Sequence, residues 1–118
     1  MRHLKKKGTL GRAADHRKAL LRNLATSFFL EGSIKTTQAK AKALVPYLEK
    51  IFTAIKDKEP REVTRYLKKI VYTKESSKKV TGGLIKKLKN KQSGRLRMLN
   101  VGYRKGDNAP LVKIELNI

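Results

Sequence analysis

His3 and His16 are the only imidazoles in the chain, and neither has a cysteine close by or a second histidine four residues on. A metal centre needs three or four ligands converging on one point, so neither histidine is read as a ligand. Cysteine is absent, which excludes disulfides and thiolate sites. The run Gly82-Gly83-Leu84-Ile85-Lys86-Lys87 lacks the spacing of a phosphate-cradling loop behind a buried strand. Asp107, between Gly106 and Asn108, reads as half of a turn-forming Asx pair rather than as a catalytic acid. Serines occur without a Gly-x-Ser-x-Gly elbow. No catalytic residue, metal or cofactor is expected, and the chain is not read as an enzyme.

The chemistry that remains is cationic. Thirty lysines and arginines stand against nine acids, a formal charge of +21 on 118 residues. Such a chain repels itself until a polyanion neutralises it, and a phosphate backbone gains further from the counterions released. Three basic groups stand out. Arg2, Lys5, Lys6, Lys7 and Arg12 lie in an N-terminal stretch, and His16, Arg17, Lys18 and Arg22 continue them on the polar side of a first helix. Lys35, Thr36, Thr37, Lys40 and Lys42 surround a helix start, where hydroxyls and backbone N–H groups suit a phosphate. Arg95, Arg97, Arg104 and Lys105 lie on or beside a closing hairpin, with planar guanidinium forks for bidentate phosphate contacts. The lysines of residues 78–91 are left to solvent. No helix-turn-helix, zinc-finger or glycine-aromatic RNA-recognition pattern appears. Phe28, Phe29, Phe52 and Tyr66 look like core, leaving few aromatics for stacking bases. Folded RNA held by charge and shape is the expected partner.

These residues need positioning elements. Residues 1–12 read as a basic arm that orders on RNA, and residues 13–118 as a single α+β domain. Leu20, Leu24 and Phe28, flanked by Leu21, Ala25 and Phe29, give a helix from near Asp15 to Leu30, stopped by Gly32. Ile34 to Thr37 is a short strand. Thr37 is the expected cap of a second helix, to about Lys56, with the stripe Leu44, Leu48, Ile51, Phe52 and Ile55. Pro46 falls inside it and predicts a kink or a restart. Pro60 opens a third helix along Val63, Tyr66, Leu67 and Ile70. Ser76 or Ser77 is expected to cap a fourth, with Val80, Leu84, Ile85 and Leu88 as its face. The period then changes to two: Leu99, Val101 and Tyr103 in one strand, Val112, Ile114, Leu116 and Ile118 in the next. About four helices on a small, mainly antiparallel sheet of about three strands follow. No apolar run approaches the roughly 20 residues that span a bilayer, and no secretory signal is apparent, so the cytoplasm is expected.

The residues also carry a resemblance. Met1-Arg2-His3, Leu10-Gly11-Arg12 and the run His16 to Ala25 are similar to the start of the bacterial large-subunit ribosomal protein seventeen family. Ile34-Lys35-Thr36-Thr37 with Lys40-Ala41-Lys42 resembles its next block. Gly102-Tyr103-Arg104-Lys105-Gly106-Asp107-Asn108-Ala109-Pro110, followed by Ile114-Glu115-Leu116, resembles its closing block. The chain departs from the pattern at Leu4, at Lys42 to Pro46, and in the lysine-rich stretch Arg61 to Gln92. The resemblance implies a structural constituent of the bacterial or organellar large subunit, bound to large-subunit ribosomal RNA near the peptide exit tunnel and touching neighbouring ribosomal proteins. It implies no small-molecule substrate and no membrane. Family RNA contacts carry over to Arg2, His3, Arg12, His16, Arg17, Arg22, Lys35, Thr36, Thr37, Lys40 and Arg104. Asp107 and Asn108 match the family's loop builders, with Asn108 also a candidate contact. Two rival readings are a free architectural nucleic-acid-binding protein and a membrane-surface binder.

Overall fold

Apolar stripes decide where each helix lies. The computed structural model describes residues 14–85, 87 and 94–117. The arm of residues 1–12, Leu88 and Ile118 fall outside them. Helix α1 spans Ala14–Glu31 and buries Ala25, Phe28 and Phe29. Gly32 ends it with φ +81°, its N–H donating to the Phe28 carbonyl at 2.7 Å, a left-handed stop that costs glycine little. Strand β1 (Ser33–Thr37) leads directly into α2 (Gln38–Ile55). Thr37 has extended backbone at the cap position, yet its side chain makes no capping hydrogen bond.

Helix α2 runs unbroken through Pro46 rather than restarting there. Proline in a helix interior costs about 3 kcal/mol. Burial of Leu44, Leu48, Ile51, Phe52 and Ile55 outweighs that, at about 1.5–3 kcal/mol for each such side chain. Pro46 is also exposed, so the carbonyl it leaves free a turn earlier has access to water.

Helix α3 (Pro60–Lys68) starts on proline, where the missing N–H is harmless, and buries Val63 and Leu67. Helix α4 (Lys74–Lys79) is capped by Thr73, whose hydroxyl accepts from the Ser76 N–H at 3.3 Å. The expected caps, Ser76 and Ser77, are instead buried within its first turn. Thr73 sits three residues before Ser76, the spacing at which a cap hydroxyl meets a free N–H. A π-helical turn, Val80–Leu84, follows across Gly82 and Gly83 and buries Val80.

Strands β2 (Leu96–Tyr103) and β3 (Pro110–Leu116) complete an antiparallel sheet of order β1-β3-β2. Val112 and Ile114 of the central strand are buried and Leu116 partly so, as their alternation predicts. The alternation in β2 misleads. Leu99, Val101 and Tyr103 are exposed, and so is Met98, although it pairs with buried Ile114; Leu96, opposite Leu116, packs against the core. The register slips between Asn100 and Gly102, and Gly102 has φ +123°, so the strand bulges and its last residues no longer keep the period. Behind the sheet, Phe28, Phe29 and Phe52 pack with ring centroids 5.8–6.4 Å apart, two of the three contacts edge-on.

Candidate nucleic-acid interface

On α1, His16 and Lys18 are exposed and Arg17 is half-buried. Arg22 turns inward. Its Nε donates to the Ile70 carbonyl at 3.1 Å, and its guanidinium carbon lies 4.3 Å from the Tyr72 ring centre. Thr26, one turn on, donates to the Arg22 carbonyl at 2.7 Å and accepts the Tyr72 N–H at 3.1 Å. Arg22 thus ties α1 to the connector between α3 and α4, a task its place in a basic run did not announce. Burial also raises the nearby Tyr47 phenol above its ordinary pKa, against the lowering effect of Arg22.

The sheet turns its outer face to solvent. Antiparallel pairing lines up Lys35, Lys113 and Leu99 in one row, and Ser33, Glu115 and Arg97 in the next. Arg97 holds Glu115 through Nε at 2.9 Å and a second contact, and this hydrogen bonding keeps the Glu115 carboxyl below its usual range. Lys113 approaches the same carboxylate at 3.7 Å. Lys113 was not singled out in the sequence, although its place between Val112 and Ile114 puts it on the polar face. Thr36 corrects the expectation: it is buried opposite Val112 on the core face, so its hydroxyl has left the surface. Thr37 and Lys40 are half-buried and Lys42 exposed at the start of α2. Thr37 pairs with Leu111, so this helix start and the loop preceding β3 share one end of the sheet.

That loop is built by its own side chains. Arg104 Nε donates to Asp107 Oδ1 at 3.1 Å, and the other carboxylate oxygen takes a second guanidinium N–H. Asp107 also accepts the Ala109 N–H at 3.2 Å. These bonds, the one from Arg104 foremost, lower the Asp107 pKa to about 2. Asn108 takes φ 59° and donates its N–H to the Arg104 carbonyl at 3.0 Å, a left-handed turn that asparagine tolerates. Lys105 is exposed beside it.

Arg95 is the clearest correction. It is fully buried, its guanidinium bonded to Glu49 at 3.1 Å and Thr53 at 3.3 Å, and its N–H meets Glu49 at 2.9 Å. It fastens the start of β2 to α2 and presents nothing to a phosphate. The third basic group is therefore split: Arg95 inside, Arg97 at one end of the outer face, Arg104 and Lys105 at the other. Arg2, His3, Lys5, Lys6, Lys7 and Arg12 lie outside the described residues.

Comparison with known proteins gives the family. A family described as Ribosomal protein L17 matches residues 20–117. A protein named large ribosomal subunit protein bL17 from Porphyromonas gingivalis is 42% identical over 120 residues, covering 98% of this chain and 72% of that protein. One of the same name from Gemmatimonas aurantiaca is 40% identical over 116 residues, covering 98% of each. With a family match over most of its length and relatives above 40% or at it across nearly all of it, the chain belongs to the ribosomal protein L17 family.

Proposed function

We propose that this protein is a structural constituent of the large ribosomal subunit in the cytoplasm, holding large-subunit ribosomal RNA near the peptide exit tunnel through backbone charge and shape. One observation carries the reading: thirty basic residues face nine acids, and three of those acids, Glu49, Glu115 and Asp107, are already paired within the fold. The surplus is neutralised where phosphate is dense. Relatives named for the large subunit, matched over almost the whole chain, support the same reading and give no reason to seek an enzyme.

The arm of residues 1–12 supplies Arg2, His3, Lys5, Lys6, Lys7 and Arg12. His16, Arg17 and Lys18 continue from it, Lys35, Lys40, Lys42 and Lys113 act from β1, α2 and β3, and Arg104, Lys105 and Asn108 act from the hairpin loop. Arg97 joins them to the extent that phosphate displaces Glu115. Neighbouring ribosomal proteins take the remaining surface. If about eight phosphates are contacted, binding of the isolated protein to large-subunit RNA follows salt with a log–log slope of roughly −6 to −7. A slope near zero, or loss of the protein from large subunits after a moderate salt wash, overturns the reading.

A further inference from the structure

Tyr72 is half exposed, at 50%, and is the one large aromatic left open beside the helices rather than on the sheet edge among the described residues. Its ring is already braced on one side by Arg22, 4.3 Å away, and its backbone by Thr26. Beside it opens a hollow of about 550 Å³ whose wall includes Thr64, Lys68, Lys74, Lys78 and Thr81 but not Arg22. Among the described residues, no ion pair engages Lys68, Lys74 or Lys78. Thr64 donates its hydroxyl hydrogen to the Pro60 carbonyl at 2.9 Å, and Thr81 shares its own between the Ser77 and Lys78 carbonyls at 3.1 and 3.2 Å. Both hydroxyl oxygens are therefore left as acceptors.

These parts match the three parts of a nucleotide. A fixed ring offers a plane for stacking, hydroxyl oxygens accept from the edge of a base, and unpaired ammonium groups take the flanking phosphates. The geometry points to a site for one unpaired RNA base, stacked on Tyr72 in the hollow between α3 and α4. An acidic peptide would use the lysines and leave the ring idle. The inference rests on the RNA-binding reading above, and it recruits Lys78, which the sequence assigned to solvent.

The test uses the full chain with two RNA hairpins of equal phosphate number, one carrying a single bulged 2-aminopurine and one fully paired. Wild-type protein and Tyr72→Phe quench the bulged base. Tyr72→Leu abolishes the quench and weakens the bulged hairpin about tenfold, while the paired hairpin changes by less than about twofold. Equal losses on both hairpins, or no effect of Tyr72→Leu, overturn the site, the latter being the result an acidic-peptide surface gives. If neither hairpin binds, the RNA reading itself fails. Should Tyr72→Leu lose its native circular dichroism, the exposed triple variant Lys68→Gln, Lys74→Gln, Lys78→Gln decides. It must weaken the bulged hairpin more than the paired one, and equal weakening overturns the site.

Discussion

Two arginine–carboxylate clamps frame the hairpin, and they use one chemistry for opposite ends. Arg95 and Glu49 meet at the base of β2, with the arginine side chain 1% exposed and the glutamate 27%. Arg104 and Asp107 meet at the tip, both about half exposed. At the base, the arginine is shut off from water, so its donors must find protein acceptors, and the clamp fixes the start of β2 on α2. At the tip, water and salt screen the charges, the pair shapes only its own loop, and the guanidinium keeps donors free for an outside ligand. Burial, rather than residue type, separates a structural arginine from one left available to a ligand.

The largest effect is expected at the base. Glu49→Ala removes the carboxylate that the Arg95 guanidinium and backbone N–H both use, leaving Thr53 to the guanidinium, and stability should fall by about 3 kcal/mol, the lower end of the range for breaking a buried pair from one side. Urea denaturation reads this directly, and a loss under about 1 kcal/mol would put the base clamp in the same class as the tip. Replacing both partners sharpens the point. Glu49→Leu with Arg95→Met removes both charges together and should recover part of the loss, the backbone N–H of residue 95 still having lost its carboxylate acceptor.

The hairpin also shows what the sequence makes legible. Val112 and Ile114 announced β3 because a central strand under helices must alternate, and the stripe of α2 announced that helix for the same reason. Leu99, Val101 and Tyr103 alternate just as cleanly, yet they do not face the core. Leu99 already lies opposite Lys113 on the outer face before the shift between Asn100 and Gly102 breaks the period, so the pairing with β3, and not the alternation within β2, decides which side faces the core. The candidate site was legible as charge and illegible as exposure. Arg95 and Arg97 are two residues apart on one short stretch, so only Glu49, contributed by a helix far back in the chain, reveals that the first is interior. Arg22 hid in the same way, because Tyr72 and Ile70 reach it from 48 to 50 positions on.

An intermediate effect separates the clamps by function. Arg104→Gln should reduce the salt slope of RNA binding by about 1, as expected for one phosphate contact removed. Arg95→Lys, compared where it remains folded, should leave the slope unchanged. Equal changes would mean that the base clamp reaches RNA after all. Asp107→Asn keeps an oxygen for the Ala109 N–H while deleting the charge that competes with phosphate, so RNA binding at low salt should tighten.

The smallest effect is titration of the tip. The folded pKa of Asp107 is depressed to about 2 by the hydrogen bonds from Arg104 and the Ala109 N–H, against about 3.9 for an unperturbed aspartate. A depressed carboxylate contributes its stability above the unfolded pKa and loses it as pH falls through the folded value. Its window therefore runs from about pH 4 down to about pH 2. Carboxyl-detected NMR should show Asp107 titrating near the bottom of that window, and Arg104→Gln should move the midpoint up towards the unperturbed value. A midpoint that ignores Arg104 would mean that the loop, through Ala109, holds the carboxylate by itself. The tip would then be a turn that happens to carry an arginine, with the guanidinium wholly free for RNA.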